Sequence, residues 1–158
     1  MEDLLKFLDI KYNSVNHKPV YTSKEAEFIK EKINGIGCKN LFLKDNLGKY
    51  YLYLFEDTKK ANIKALEKFL GVKKLHFGSS EELENILKLI PGGVTPLGII
   101  NDSKTQVTII IDNGLVNQLI LMHMDTNTVT ISIDYSDLIK YITYLKHEYK
   151  IFKGDNNE

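Results

Sequence analysis

Two hydrophobic periods are interleaved along this chain, and that interleaving constrains its fold more than any other feature. Short runs rich in Ile, Val, Leu and aromatic residues alternate with segments whose apolar residues recur every three or four positions. Strand-like runs fall at residues 40–44, 50–55, 72–77, 97–100, 107–111, 118–122 and 129–133. Helical periodicity appears at residues 1–10, with Leu4, Leu5 and Leu8 on one face. It returns after Thr22-Ser23-Lys24-Glu25, a capping-box spacing that precedes Ala26, Ile29 and Ile33, with a stop near Gly35 or Gly37. Asn62 reads as the N-cap of a third helix burying Leu66, Phe69 and Leu70 and closed by Gly71. Ser79 with Glu82 is a second capping box, ahead of Leu83, Ile86, Leu87 and Ile90. The last stripe, Leu138, Ile139, Ile142 and Leu145, predicts a helix over 136–149.

Turn chemistry completes this reading. Asp45-Asn46-Leu47-Gly48-Lys49 predicts a hairpin between the first two strands, and Asp112-Asn113-Gly114 predicts another between 107–111 and 118–122. Hairpins outnumber clean strand–helix–strand units. The expected class is therefore α+β: one domain over residues 1–153, a mixed and largely antiparallel sheet surrounded by helices, and a fraying polar tail at 154–158.

Composition narrows the function. At 158 residues and 43% hydrophobic, with 21 basic and 21 acidic side chains, the chain can bury a core and lacks the signature of disorder. No apolar run approaches the roughly 20 residues that cross a bilayer. The start of the chain lacks a secretory pattern, so a cytoplasmic location is expected. Cys38 stands alone, which excludes an internal disulfide and multi-cysteine metal sites. Neither a metal nor a cofactor is expected. Every Lys/Arg position is lysine, so bidentate arginine forks to phosphate or guanine are absent. With no basic excess, DNA coating is excluded, while lysine contact with one end of an RNA remains open.

Four places could carry chemistry. Pro91-Gly92-Gly93-Val94-Thr95-Pro96-Leu97-Gly98 can aim backbone N–H groups at an oxyanion, or it is a helix-stop turn. His123-Met124-Asp125-Thr126-Asn127-Thr128, read as a loop at a sheet edge, can orient a water or hold a hydroxyl, or it is a hairpin connection. Lys39, at a strand mouth and facing the opposite side from Lys44, can bind phosphate or carboxylate, or it is a solvated lysine. His17, next to the Pro19 corner, is a ligand group or a partly buried histidine. Cys38, beside Lys39, would gain reactivity from a lowered pKa, or it is a small packing residue. Metalloprotease, α/β-hydrolase and zinc patterns are missing.

In order, His17-x-Pro19-Val20-x-Thr22, then Cys38-Lys39-Asn40-Leu41-Phe42-Leu43-Lys44-Asp45, Gly92-Gly93-Val94-Thr95-Pro96-Leu97-Gly98 and His123-x-x-x-Asn127-Thr128 resemble the YbaK/ProX prolyl-tRNA editing superfamily. Within it, the likeness is to the free-standing alanyl-tRNA(Pro) deacylases. The resemblance implies an editing domain acting in trans on the acceptor end of mischarged tRNA(Pro), with prolyl-tRNA synthetase or an elongation factor as partner. It implies hydrolysis of the Ala–tRNA ester, because missing methylenes discriminate by only about 1–3 kcal/mol and a second sieve is required. Lys39 matches the family's essential lysine, Gly92 to Pro96 its G-x-x-x-P loop, and His123, Asn127 and Thr128 its H-P-x-x-N-T segment. The implied catalytic set is Lys39, Gly92, Gly93 and His123; Val94, Thr95, Pro96, Asn127, Thr128 and His17 would bind substrate. Leu41 to Leu43 would line an alanine-sized pocket. Two positions depart from the pattern, Met124 in place of proline and Val129 in place of alanine. A sibling branch acts on Cys-tRNA, but its usual Lys-Thr pair is Lys39-Asn40 here. The other alternative is a non-catalytic module that docks on the charged tRNA or on the synthetase, against which Lys39, Gly92 and His123 speak.

Overall fold

The computed structural model describes residues 1–19, 23–124 and 126–154. In chain order the elements are α1 (Glu2–Phe7), β1 (Asn13–Asn16), α2 (Ser23–Lys32), β2 (Ile36–Asp45), β3 (Tyr50–Glu56), α3 (Ile63–Leu70), β4 (Leu75–Phe77), α4 (Ser80–Leu87), β5 (Val107–Asp112), β6 (Leu119–Met124), β7 (Thr126–Asp134), α5 (Tyr135–Tyr144) and β8 (Tyr149–Phe152). The strands follow the order β1-β7-β6-β2-β3-β5-β8, with β4 attached to β2. Pairings β1·β7, β2·β3, β2·β4 and β6·β7 are antiparallel, while β2·β6, β3·β5 and β5·β8 are parallel. The sheet is mixed, as expected.

Several local signals form as the sequence predicts. Asn62 caps α3 by accepting from Ala65 N at 3.0 Å, and Gly71 closes it in the left-handed region at φ 70°. Ser79 and Glu82 make a reciprocal capping box on α4. The second strand pair is a hairpin whose Asp45 side chain accepts from Leu47 N and Lys49 N. The capping box expected at Thr22 lies outside the described residues, as do residues 155–158 of the expected tail.

Three expectations need correction. Residues 97–100 are not a strand: Pro96–Asn101 is a 3-10 turn, capped by the Thr95 side chain and held by Tyr141 Oη donating to Leu97 O at 2.6 Å. Asp112-Asn113-Gly114 makes no hairpin, because both edges of β5 are occupied by β3 and β8. Asp112 instead accepts from Gly114 N at 2.9 Å and turns the chain across to β6. The last helix ends at Tyr144, since Lys146 adopts φ 61° and residues 149–152 leave to pair with β5.

One large cluster packs the inner face of the sheet against α1, α4 and α5, through residues such as Leu5, Leu87, Ile109, Ile131 and Leu138. The outer face is covered in two separate patches. Ile29 and Ile33 of α2 pack on Leu121 of β6, and Leu66 of α3 packs with Tyr53, Ile110 and Phe152. Between these patches, among the described residues, the outer face of β2 is exposed at Lys39.

Candidate active site

The site exists because β2 serves two half-sheets. It pairs with β6 only at Ile36 and Gly37, and with β4 only from Leu43 to Asp45. Between those contacts, among the described residues, the edge of residues 38–41 carries no strand partner. Gly78 N closes the far end by donating to Phe42 O at 2.9 Å. Two cavities open along this edge. One, of about 90 Å³, is lined by Lys30, Gly37, Asn40, Asp57, His123 and Thr130, among others. The other, of about 340 Å³, is lined by Asn40, Phe42, Phe77, Ser79, Gly92 and Val94, among others. Asn40 is the wall they share.

The end of the β6–β7 hairpin gathers the remaining motifs. His123 and Met124 are the last residues of β6, and Asn127 and Thr128 lie in β7, so this segment is a bulged strand pair rather than an open loop. The register breaks between His123 and Met124, which releases the segment from regular pairing. His17 N donates to Thr128 O at 2.9 Å, tying the end of β1 to the hairpin. Gly92 and Gly93 abut the same place. A Cβ on Gly92 would lie 3.6 Å from Asn127 Nδ2, and one on Gly93 would lie 3.6 Å from Asn127 N. Gly92 also sits at φ 88°, a conformation that favours glycine.

The surroundings of His123 favour its neutral ring. Burial pushes its pKa down, the charge of His17 pushes it further, and a hydrogen bond to the Val129 backbone acts against both. Nδ1 has no partner, so Nε2–H is the donor to the Val129 carbonyl, and Nδ1 keeps its lone pair. The rings of His17 and His123 stand 6.3 Å apart. His17 Nδ1 faces Lys18 O at 2.8 Å, and its Nε2 meets Thr130 Oγ1 at 2.8 Å.

The glycine loop offers fewer amides than its sequence suggests. Gly93 N donates to Ile90 O at 3.0 Å, and Leu97 N donates to Thr95 Oγ1. The N–H groups of Gly92 and Val94 have no acceptor among the described residues. Thr95 and Pro96 are buried and build the 3-10 turn, so they shape the loop from behind. Of the anticipated pocket-lining strand, Leu41 and Phe42 reach the larger cavity, whereas Leu43 is 1% exposed and faces the outer core with α3.

Lys39 is exposed, and among the described residues it has no ion-pair or hydrogen-bond partner. It shares the outer face of β2 with Gly37 and Leu41, one lining each cavity, in the gap between the α2 and α3 patches. Lys44, on the opposite face, is bound to Glu82 at 2.7 Å. Cys38 is not activated. Burial, followed by the charges of Asp57 and Glu56, pushes its thiol well above the usual range, and Sγ–H points to Ile36 O at 3.5 Å.

The structure thus gathers His17, Gly92, Gly93, His123, Asn127 and Thr128 around the end of the β6–β7 hairpin, with Val94 in the wall of the larger cavity. Lys39 lines neither cavity, and His17 lines a separate one with Lys18, Phe28 and Lys32. Sequence reasoning missed Asp57 and Lys30, an ion pair of 2.9 Å at the small cavity. It also missed Asn40 as a wall, although the residue lies next to Lys39. No spacing signal marks Asp57, which arrives from the far end of β3 when Asp57 N donates to Gly37 O at 2.9 Å.

The aminoacyl-tRNA editing domain model matches residues 17–141. The chain is 37% identical over 138 residues to the prolyl-tRNA editing protein ProX of Acetoanaerobium sticklandii, covering 85% of this chain and 84% of that protein. It is 28% identical over 158 residues to the prolyl-tRNA synthetase associated domain-containing protein 1 of Danio rerio, covering 98% and 86%. A solved structure described as a candidate trans-editing enzyme for prolyl tRNA synthetase superposes with a TM-score of 0.72 at 18% identity, over 96% of this chain and 93% of that one, and carries the same fold. The chain belongs to the aminoacyl-tRNA editing domain family.

Proposed function

We propose that this protein is a trans-acting editing hydrolase that deacylates mischarged Ala-tRNA(Pro), releasing alanine and tRNA(Pro). The single observation that carries the reading is that, in a chain of this family, His123 lines one of two adjoining cavities and Gly92 and Val94 line the other, with Asn40 in both walls. The larger cavity receives the terminal nucleoside, with Phe77, 70% exposed at its rim, as a stacking surface. The smaller cavity receives the aminoacyl group, and its volume favours a small side chain. The ester lies at their shared wall.

A water adds to the ester carbonyl as His123 Nδ1 takes its proton. The N–H groups of Gly92 and Val94 hold the developing oxyanion. Collapse of the tetrahedral species breaks the bond to the ribose oxygen, which recovers a proton and leaves. Lys39 pairs with the phosphate of the terminal nucleotide and fixes the ester in register. The test is release of labelled amino acid from Ala-tRNA(Pro), Cys-tRNA(Pro) and Pro-tRNA(Pro), by the wild type and by Lys39→Ala. Release of alanine alone, reduced at least 100-fold by the substitution, is the expected result. Preferential release of cysteine would assign the chain to the sibling branch. No release from any ester would refute hydrolysis.

A further inference from the structure

We propose that the small cavity is a socket for the α-ammonium of the aminoacyl ester, with the Asp57 carboxylate as its counter-ion and Asn40 Oδ1 as a second acceptor. This rests on the deacylase reading above and adds to it a chemical, rather than steric, basis for choosing the substrate.

The lining groups are unbalanced in kind. Asn40 Oδ1 is buried and has no hydrogen-bond partner. Asp57 Oδ1 takes Lys30 Nζ at 2.9 Å, while Oδ2 lies over Gly37, so close that a Cβ there would fall 2.3 Å from it. Thr130 contributes a third acceptor. Its Oγ1, bonded to His17 Nε2 at 2.8 Å, keeps a lone pair whichever of the two atoms carries the bonding hydrogen. The Cys38 hydrogen is directed to Ile36 O. Lys30, the one lysine among the described lining residues, is already bound to Asp57.

A cavity rich in acceptors and holding a carboxylate calls for a compact group with several N–H donors and a positive charge. The ester and ribose oxygens of an aminoacyl-tRNA are chiefly acceptors. Its α-ammonium is the one group that meets the requirement. Lys30 then serves as the resident counter-ion that keeps Asp57 compensated before substrate arrives. A primary ammonium has three N–H donors for these three acceptors. The secondary ammonium of a prolyl ester has two, so one acceptor would remain unpaired. That mismatch penalises the correctly charged tRNA independently of side-chain volume.

The experiment compares alanyl-tRNA(Pro) with lactyl-tRNA(Pro), in which a hydroxyl replaces the ammonium. Each enzymatic kcat/KM is divided by the uncatalysed hydrolysis rate of the same ester. The wild type should prefer the alanyl ester about 10- to 100-fold, as expected for a charge-assisted hydrogen bond. Asp57→Asn should bring the ratio close to one. Lys30→Met breaks the same ion pair but leaves the carboxylate, and should keep or raise the ratio. A wild-type ratio near one, an Asp57→Asn ratio equal to the wild type, or a parallel fall in both variants would overturn the ammonium socket while hydrolysis stands. No hydrolysis of either ester would overturn it together with the deacylase reading.

Discussion

In the proposed mechanism His123 acts as a neutral base, the form that its surroundings favour. Burial first, and the charge of His17 second, lower its pKa from the ordinary 6.5, so protonation is deferred to more acidic solution. The basic form is the one that accepts a proton, so activity is lost as pH falls through the lowered pKa. The acid limb of kcat/KM for Ala-tRNA(Pro) should therefore lie below pH 6.5. His17→Asn removes the neighbouring charge, and the limb should move to higher pH. His123→Ala should cost about 100- to 10,000-fold and abolish the limb. A limb unmoved by His17→Asn would show that burial alone sets the ionisation. At this scale, much of the candidate site was legible in the sequence. Lys39, Gly92, His123 and His17 sit in motifs whose order identifies the family before any geometry is known. Gly93 and Thr95 show where that reading stops, since only the structure reveals that the Gly93 amide and the Thr95 hydroxyl are used inside the loop itself. Asp57 was illegible because its role depends on a contact with Gly37, twenty positions earlier in the chain.

Glu82 shows how one side chain can join three elements. As the third residue of α4 it completes the capping box with Ser79, and it also accepts from Lys44 on β2 and Tyr50 on β3. Lys44 leads the interactions that pull its pKa down from 4.5 to about 2. A carboxylate depressed in the folded state contributes its full stability above the unfolded value, and loses it as pH falls through the folded one. Between pH 5 and pH 3, the wild type should thus lose more thermal stability than Glu82→Gln. At pH 7 the substitution should cost about 1–2 kcal/mol. Thermal melts at pH 7, 5 and 3 decide it, and parallel losses in the two proteins would exclude the carboxylate. The capping box was legible because its partners are three residues apart. The ties to Lys44 and Tyr50 were not, because they depend on β2 and β3 pairing beneath α4. The same limit explains the misread apolar run after Pro96 and the overextended last helix. Pro96 and Leu97 form a turn because Tyr141 binds it from another element. Residues 149–152 become a strand because β5 offers them an edge.

The whole molecule separates the groove from the part that makes it rigid. The groove lies where β2 has parted from β6 and not yet met β4. At the opposite end of the sheet, the starts of β5 and β8 are clamped together. Asp102 accepts from Gln106 N at 3.1 Å and Val107 N at 2.9 Å, and its Oδ2 meets His147 Nε2 at 3.0 Å, with both side chains fully enclosed. His147 Nδ1 faces Leu145 O at 3.1 Å, so the ring fixes the exit from α5 as well as the entry to β8. Removing one member of such a pair leaves the other buried without its partner, which costs about 3–5 kcal/mol. His147→Leu should therefore lower the melting temperature by roughly 6–20 °C at constant pH. Well below that transition, kcat/KM per folded molecule should stay within twofold of the wild type, because no side chain of the clamp lines either cavity. His147→Gln retains a donor toward Asp102 and should recover part of the lost stability. The contrast with His123→Ala, which should reduce activity far more than stability, makes the separation testable by measuring both quantities on both variants. A His147→Leu protein that melts normally would remove the clamp from the account. One that melts early and is also inactive while folded would show that the groove depends on strain transmitted across β3 and β5.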